Sequence, residues 1–365
     1  MKYSAPRIDV TDANAVNRAV LNEDGMLTQG PQLDLFEKEL AAYTGAKHAV
    51  AVSSGTAALH CALFAAGAGR GNITNVPALT FVATANSVLH CQGGLAVSDV
   101  REDTLLLDET KILDKAHIIL AVDYAGQPCD YDLLRNKANR QGAILIADAC
   151  HSLGATYKGR KVGTLADLTC FSFHPLKAIT TGEGGAIVTN NEVFAQRMRT
   201  FRNHGITKTF QEREAEGLPD YDVIYQGHNY RMNEMSAALG RSQLKRLDSF
   251  IQRRREIALQ YTEAFTGMKS LQPLIHREEI THAYHLYVVR IPRNRDKVFK
   301  ALKEKGIHAN VHYRPINTFT AYGNRRGACR VAEQAWTEIL SLPCHPGLRR
   351  DHIDQVIDVV KGALR

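Results

Sequence analysis

The sequence has no apolar run approaching the roughly 20 residues that a membrane-spanning helix requires, so no membrane association is expected. It also has no cysteine pattern that suggests pairing. The seven cysteines (Cys61, Cys91, Cys129, Cys150, Cys170, Cys329 and Cys344) are odd in number, none has CxxC spacing, and several lie inside apolar runs. That argues against a disulfide framework or a zinc-finger site and fits reduced, buried thiols in a cytoplasmic protein. There is no Walker A sequence and no GxGxxG, which argues against nucleoside-triphosphate and Rossmann dinucleotide binding. Residues Met1–Pro6 carry no apolar core, so no signal peptide is expected. No bound metal is expected either.

The net charge is +7, which admits nucleic acid, a membrane surface or an anionic small molecule as partner. The basic residues are mostly dispersed. Their densest cluster, Arg253-Arg254-Arg255, falls in a helical stretch and reads as a solvated face. No aromatic-interleaved basic stripe and no basic-zipper pattern appears, so an anionic small molecule is the favoured partner, not nucleic acid. A hydrophobic share of 44% and a charged share of 23% describe an ordinary globular chain. Its 365 residues suggest two domains.

Residues 1–30 read as an irregular N-terminal arm ending in a turn at Gly30-Pro31. Leu33, Phe36, Leu40 and Tyr43 then form a helical stripe closed by Gly45. From His48 to about Asn190, apolar runs alternate with helical stretches. Strands are expected at Ala49–Val52, Ile73–Val76, Leu95–Val97, Ile118–Val122, Ile144–Ala147, Leu168–Phe171 and Ala186–Thr189, with helices over 56–66, 81–91, 130–140 and 192–203. This alternation predicts an α/β fold with a mostly parallel sheet and helices on both faces. Residues 206–228 are polar and read as a long surface loop. A single long helix is expected from about Asn233 to Phe265. A strand (Leu286–Ile291), a helix (Asp296–Lys305), a strand (Asn310–His312) and a final helix (Asp351–Leu364) follow. The expected division is an arm over 1–30, a large domain over 31–245 and a smaller α+β domain over 246–365.

Three features carry chemistry. Asp148 ends an apolar strand, where ligands of open α/β sheets bind. A carboxylate there can stabilise a cationic ring nitrogen, or simply cap a helix. Lys177 lies in a loop between the strand ending Phe171-Ser172-Phe173 and the turn Gly182-Glu183-Gly184-Gly185. A Schiff-base lysine needs such a place, near a rigid strand end with close backbone approach. Ser53-Ser54-Gly55-Thr56-Ala57-Ala58 follows a strand and opens a helix, so its free N–H groups and hydroxyls suit a phosphate, although Ser and Thr are also ordinary caps. Together they supply what pyridoxal phosphate needs: an anion site, a partner for the ring nitrogen, and an imine lysine.

The order and wording of these segments resemble the DegT/StrS-type sugar-nucleotide aminotransferases, a branch of the fold-type I pyridoxal-phosphate enzymes. The resemblance covers nearly the whole chain. It runs from Leu27-Thr28-Gln29-Gly30-Pro31 through Ser53–Ala58, Pro77–Asn86, Gly126-Gln127-Pro128, Asp148–Gly154, the Lys177 segment and His228-Asn229-Tyr230-Arg231-Met232-Asn233, to His312-Tyr313-Arg314-Pro315.

The resemblance implies a role for each matching residue. Lys177 binds the cofactor and shuttles the proton. Asp148 pairs with the pyridine nitrogen, and Gly55, Thr56 and Ser172 bind the phosphate. Phe81 stacks on the ring, and His151 lies near the phenolic oxygen. Asn229 reaches the phosphate of a neighbouring subunit's cofactor, which implies a homodimer with shared active sites. Arg231, His312 and Tyr313 belong near the sugar nucleotide. Relatives with His in place of Lys177 dehydrate the sugar instead, so Lys here favours amination. The wording from His174 to Gly185 is closest to the subgroup acting at C4 of UDP-linked 4-keto-6-deoxy-N-acetylhexosamines, as in pseudaminic acid biosynthesis. The expected reaction takes the amino group from L-glutamate and passes through pyridoxamine phosphate. C3-, GDP- and dTDP-sugar amination stay open within the family. A sugar dehydratase or a non-enzymatic regulator on the same fold are the readings of another class.

Overall fold

The computed structural model describes residues 1–22 and 25–365, and every side chain among them except those of residues 210 and 211. The central sheet contains β1 (His48–Val52), β2 (Ile73–Pro77), β3 (Gly94–Ser98), β4 (Ile118–Val122) and β5 (Ile144–Asp148). A hairpin of β6 (Thr156–Tyr157) and β7 (Arg160–Lys161) precedes its last two strands, β8 (Leu168–Ser172) and β9 (Gly185–Thr189). The sheet order is β1-β9-β8-β5-β4-β2-β3. β9 alone runs opposite to the other six strands. These are the seven strands expected from the sequence.

Both faces of the sheet's middle are buried, so strands such as β4 and β5 read as apolar runs, while the edge strand β3 is only partly covered. Alternation divides each strand between two cores. Ala49, Ala51, Ile119, Ala121, Leu145 and Ala147 enter one, while Val50, Val52, Ile118, Leu120 and Ile146 enter the other. The first core is completed by α2 (Pro31–Thr44), α5 (Tyr131–Gln141) and α8 (Glu234–Leu244), and the second by α3 (Gly55–Ala65), α4 (Val82–His90) and α6 (Glu192–Arg202). No helix among the described residues is long and apolar enough to cross a membrane. All seven cysteines are free.

A third core gathers residues from the C-terminal part of the chain. It joins α9 (Leu247–Phe265), α10 (Arg295–Glu304) and α12 (Arg350–Leu364) to a small sheet of β10 (Gln272–Pro273), β12 (Tyr287–Arg290) and β13 (Ile339–Leu342). A two-residue strand, β11 (Ile280–Thr281), instead extends the β6–β7 hairpin. The helix α11 (Arg330–Glu338) packs back on the first core through Ala332 and Ala335.

Four expectations need correction. The arm over 1–30, of which residues 23 and 24 lie outside the described residues, contains a helix, α1 (Val10–Val20). A capping box starts it: Asp9 accepts from Thr11 N, and Asp12 accepts from Asp9 N at 3.1 Å. The loop over 206–228 contains α7 (Phe210–Glu216), started by a second capping box between Thr209 and Glu212. The single helix expected over 233–265 is two helices, α8 and α9, interrupted at Lys245-Arg246. The Arg246 guanidinium is drawn to Asp9 and Asp12, and no glycine or proline marks the break. Residues Asn310–His312 are not a strand: only Asn310 bridges, to Ser341. Val311 N is taken by the Asn310 side chain, and the Tyr124 hydroxyl donates to the His312 carbonyl.

Candidate active site

The site lies at the carboxyl ends of the parallel strands. After β1, the Ser54 hydroxyl caps α3 by accepting from Ala57 N at 3.1 Å. The first N–H groups of the helix, at Gly55 and Thr56, are left without intrahelical acceptors at its positive end. Ser172, ending β8, lies directly against Gly55: a Cβ on Gly55 would stand 2.7 Å from Ser172 Cβ. Gly185, opening β9, is as tight, with Ser54 O at 2.4 Å from any Cβ placed there. Bare backbone is thus what lets two strand ends and a helix start converge into a cradle.

Asp148 ends β5 and is buried. Its Oδ2 accepts from Thr84 Oγ1 at 2.9 Å, and its Oδ1 accepts from Cys150 N at 3.3 Å. Thr80 and Thr84 share a hydrogen bond of 2.7 Å, so the orienting hydroxyl is itself held. Lys177 stands in the loop between β8 and β9, where its N–H donates to His174 O at 2.9 Å. The loop is pinned from outside by Ser4, whose hydroxyl donates to Leu176 O at 2.9 Å. Among the described residues, Lys177 Nζ has no hydrogen-bond partner. Burial pushes its pKa below the usual lysine value, while Cys150 and Asp148 act in the opposite direction.

Aromatic and imidazole rings form the remaining wall. Phe81 is 55% exposed, unusual for so large an apolar ring, and so offers a free face to a ligand. Its centroid lies 5.9 Å from that of Tyr313. The Tyr313 hydroxyl meets His151 Nε2 at 3.1 Å. His312 Nδ1 meets Ser341 Oγ at 2.9 Å. Burial, then the nearby Lys177, brings the His312 pKa down to about 4. Burial lowers His151 well below the usual imidazole value, helped by Lys177 and His312. These imidazoles are therefore neutral at pH 7.

Gly55, Thr56, Phe81, Asp148, His151, Ser172, Lys177, His312 and Tyr313, nine residues expected from the sequence, line one cavity of about 680 Å³. Asn229 and Arg231 do not. Asn229 is exposed and bridges to Asn203, whose side chain accepts from Arg231 at 2.8 Å. Sequence reasoning missed Tyr3, Thr84, His285 and Asn310, which also line the cavity. Thr84 had a usable signal, the i,i+4 spacing from Thr80 beside a strand end. Tyr3 had none, because it reaches the site from the far end of the chain.

The single reversed strand and a pocket setting a lysine near a buried aspartate define the class: this is the fold-type I transferase architecture. The comparisons then settle the family. Residues 6–361 match the DegT/DnrJ/EryC1/StrS aminotransferase family, and the chain belongs to it. It is 37% identical over 383 aligned residues to the spore coat polysaccharide biosynthesis protein SpsC of Bacillus subtilis (strain 168), covering 100% of this chain and 98% of that one. Among solved structures, it superposes on Spr1654 of Streptococcus pneumoniae, assigned as a sugar aminotransferase and solved in its PMP form, with a TM-score of 0.92 and 30% identity. That match covers 99% of this chain and 98% of the other. Helicobacter pylori PseC, an aminotransferase involved in the biosynthesis of pseudoaminic acid, matches with a TM-score of 0.90 and 32% identity, over 99% and 98% of the two chains.

Proposed function

We propose that this chain is a pyridoxal-phosphate-dependent aminotransferase that moves the amino group of L-glutamate onto a keto-sugar nucleotide. The acceptor we favour is C4 of a UDP-linked 4-keto-6-deoxy-N-acetylhexosamine. One observation carries the reading: a glycine-floored cradle, a carboxylate held by Thr84 and an unpartnered lysine face one cavity. The cavity chemistry fits the cofactor. The bare backbone at Gly55 leaves room for a phosphate beside the Ser172 hydroxyl. The exposed face of Phe81 suits a planar ring. The likeness to PseC supports the sugar, and the likeness to SpsC supports a place in cell-surface polysaccharide synthesis.

When bound, the cofactor supplies a carbonyl carbon that takes up an amine and a ring that accepts an electron pair. The protein supplies everything else. Gly55 N–H, Thr56 and Ser172 would hold the phosphate at the positive end of α3. Asp148, fixed through both oxygens, would keep a proton on the ring nitrogen. Phe81 would pack against the ring. Lys177 Nζ would be the base that takes the proton from the donor carbon and the acid that returns it. Its lowered pKa lets it act as a base at lower pH than a solvated lysine. L-Glutamate enters first and leaves as 2-oxoglutarate; the keto sugar enters second and leaves as an amine.

We further propose a homodimer in which Asn229 reaches the partner's site, with Arg231 beside it meeting the diphosphate. The exposed position of Asn229, outside its own chain's cavity, supports this. We also propose that the chain divides at 245/246, where α8 gives way to α9; the start of α9 still packs on the first core through Leu247, Phe250 and Ile251, and the third core takes over from Ile257. The decisive test is transfer of nitrogen from labelled L-glutamate to a panel of UDP-, GDP- and dTDP-keto sugars. Label should appear in the UDP-linked 4-keto sugar. If no sugar acquires label, the proposed function is wrong.

A further inference from the structure

His285 belongs to no segment singled out in the sequence, yet it lines the cavity and is 5% exposed. It stands at the entrance to β12, where the C-terminal part of the chain first touches the site. Its backbone is clamped from two sides. On one side lies Gly126, at φ +104°, a conformation that L side chains rarely adopt. A Cβ at Gly126 would stand 2.8 Å from His151 O and 3.0 Å from His285 N, so the same turn supports both histidines. Hydrogen bonds from Ala283 N to Gly126 O at 2.9 Å and from Leu286 N to Ala125 O at 3.1 Å lock the two segments together.

On the other side lies Arg254 of α9; expected on a solvated face, it is instead 1% exposed, and among the described residues it has no carboxylate partner. Its Nη1 donates to the carbonyls of Tyr284 at 3.2 Å, His285 at 3.3 Å and Cys344. A buried guanidinium given over to carbonyls costs desolvation with no counter-charge to offset it. What it secures is the course of the backbone at 284–285.

The outcome is a ring contact. The His285 and His151 imidazoles lie with centroids 4.3 Å apart, tilted by 38°. His151 in turn holds Tyr313 through Nε2. Each of the two imidazoles keeps a buried Nδ1 with no hydrogen-bond partner among the described residues. The contact that the chain itself supplies between the two imidazoles is therefore ring packing, beside the His151 Nε2 bond to Tyr313.

We propose that His285 is a positioning residue, whose ring, held by Arg254 and the Gly126 turn, fixes His151 against the cofactor pocket. The inference rests on the pyridoxal-phosphate reading given above. If His285 acts through its ring contact with His151, and not by touching the bound cofactor from its own place in the cavity wall, its effect disappears when His151 is absent.

The test is a double-mutant cycle on cofactor affinity. Wild type, His151→Ala, His285→Ala and the double variant are purified, stripped of cofactor and titrated with pyridoxal phosphate, following absorbance. Thermal unfolding of each cofactor-free protein is followed in parallel. His285→Ala is expected to weaken binding by about tenfold in the wild-type background and by less than about twofold in the His151→Ala background. Equal losses in both backgrounds, or no loss in the first, overturn the proposal. If His285→Ala does not fold, His285→Asn, which retains only the near part of the ring, is carried through the same cycle with the same criteria. Wild type that binds no pyridoxal phosphate overturns the functional reading itself, and this inference with it. Wild type that binds while the cycle is additive overturns this inference alone.

Discussion

Replacing Gly55 by alanine tests the cradle with a single methyl group. Ordinary carbon–carbon contacts lie at about 3.5–4.0 Å. The new Cβ would meet Ser172 Cβ at 2.7 Å and Ser172 Oγ at 2.9 Å. Ser172 Cβ cannot swing away, being attached to the end of β8, so the start of α3 and that strand end must separate by several tenths of an ångström or more. Overpacking of this kind costs about 1–3 kcal/mol. The lost flexibility of glycine in the unfolded chain returns about 0.4–1 kcal/mol. The net cost to the fold is therefore small, about 0–2.5 kcal/mol by those two terms. The effect on a bound phosphate should be larger relative to wild type. Moving Gly55 N–H or the Ser172 hydroxyl forfeits a hydrogen bond to a charged group, about 1.5–3 kcal/mol each. At about 1.4 kcal/mol per tenfold, one lost bond weakens cofactor binding roughly 10- to 100-fold. The assay is pyridoxal phosphate titration of the stripped protein beside its melting curve. Gly69→Ala is the control, since its nearest neighbour is Cys91 O at 3.9 Å. If Gly55→Ala lowers the melting temperature yet binds the cofactor within about twofold of wild type, the cradle does not hold the phosphate.

Four further predictions follow the same logic. Lys177→Met should abolish transamination yet raise the stability of the cofactor-free fold. The buried lysine has a folded pKa below its ordinary 10.5, so the unfolded chain binds the extra proton and the charged lysine costs stability below that pH. The variant's advantage in denaturant titrations should shrink as pH rises towards 10.5; an advantage that does not depend on pH would contradict this. Thr84→Val, near-isosteric, removes the donor to Asp148 Oδ2 and should weaken cofactor binding by about tenfold or more, read by titration. His312, held at about 4 against its ordinary 6.5, makes the cofactor-free fold lose stability as pH falls from 6.5 to 4, by on the order of 3 kcal/mol. His312→Gln should flatten that part of the pH–stability curve. Mixing Asn229→Ala with Lys177→Ala protein should restore activity if sites are shared across a dimer, because one of the two hybrid sites is intact. No recovery in verified mixed dimers would refute sharing.

The central sheet was readable because its strands are buried on both faces, which writes Ile144–Asp148 or Ile118–Val122 as uninterrupted apolar runs. The site residues at strand ends followed from the same logic. What escaped notice depended on side-chain bonds that periodicity does not report. The break between α8 and α9 is tied to two aspartates more than 230 residues away in sequence, and no local signal records them. The helix α1 does carry a local signal, since Asp9 and Asp12 can serve as a capping box. His285 and Tyr3 could not be placed at all without knowing which distant segments meet.

Tyr3 has one more consequence, for the order in which the molecule is made. Its ring rests 5.2 Å from that of His312, its carbonyl accepts from Cys344 N at 3.0 Å, and the adjacent Ser4 ties down the lysine loop. A ribosome emits Tyr3 more than 300 residues before His312. The large sheet can assemble while synthesis continues, but this wall of the cavity stays open until His312 and Cys344 have emerged. Contacts so distant in sequence form slowly. A nascent chain should therefore be unable to retain its cofactor until the segments carrying His312 and Cys344 have emerged, which makes cofactor capture a marker of that late step of folding.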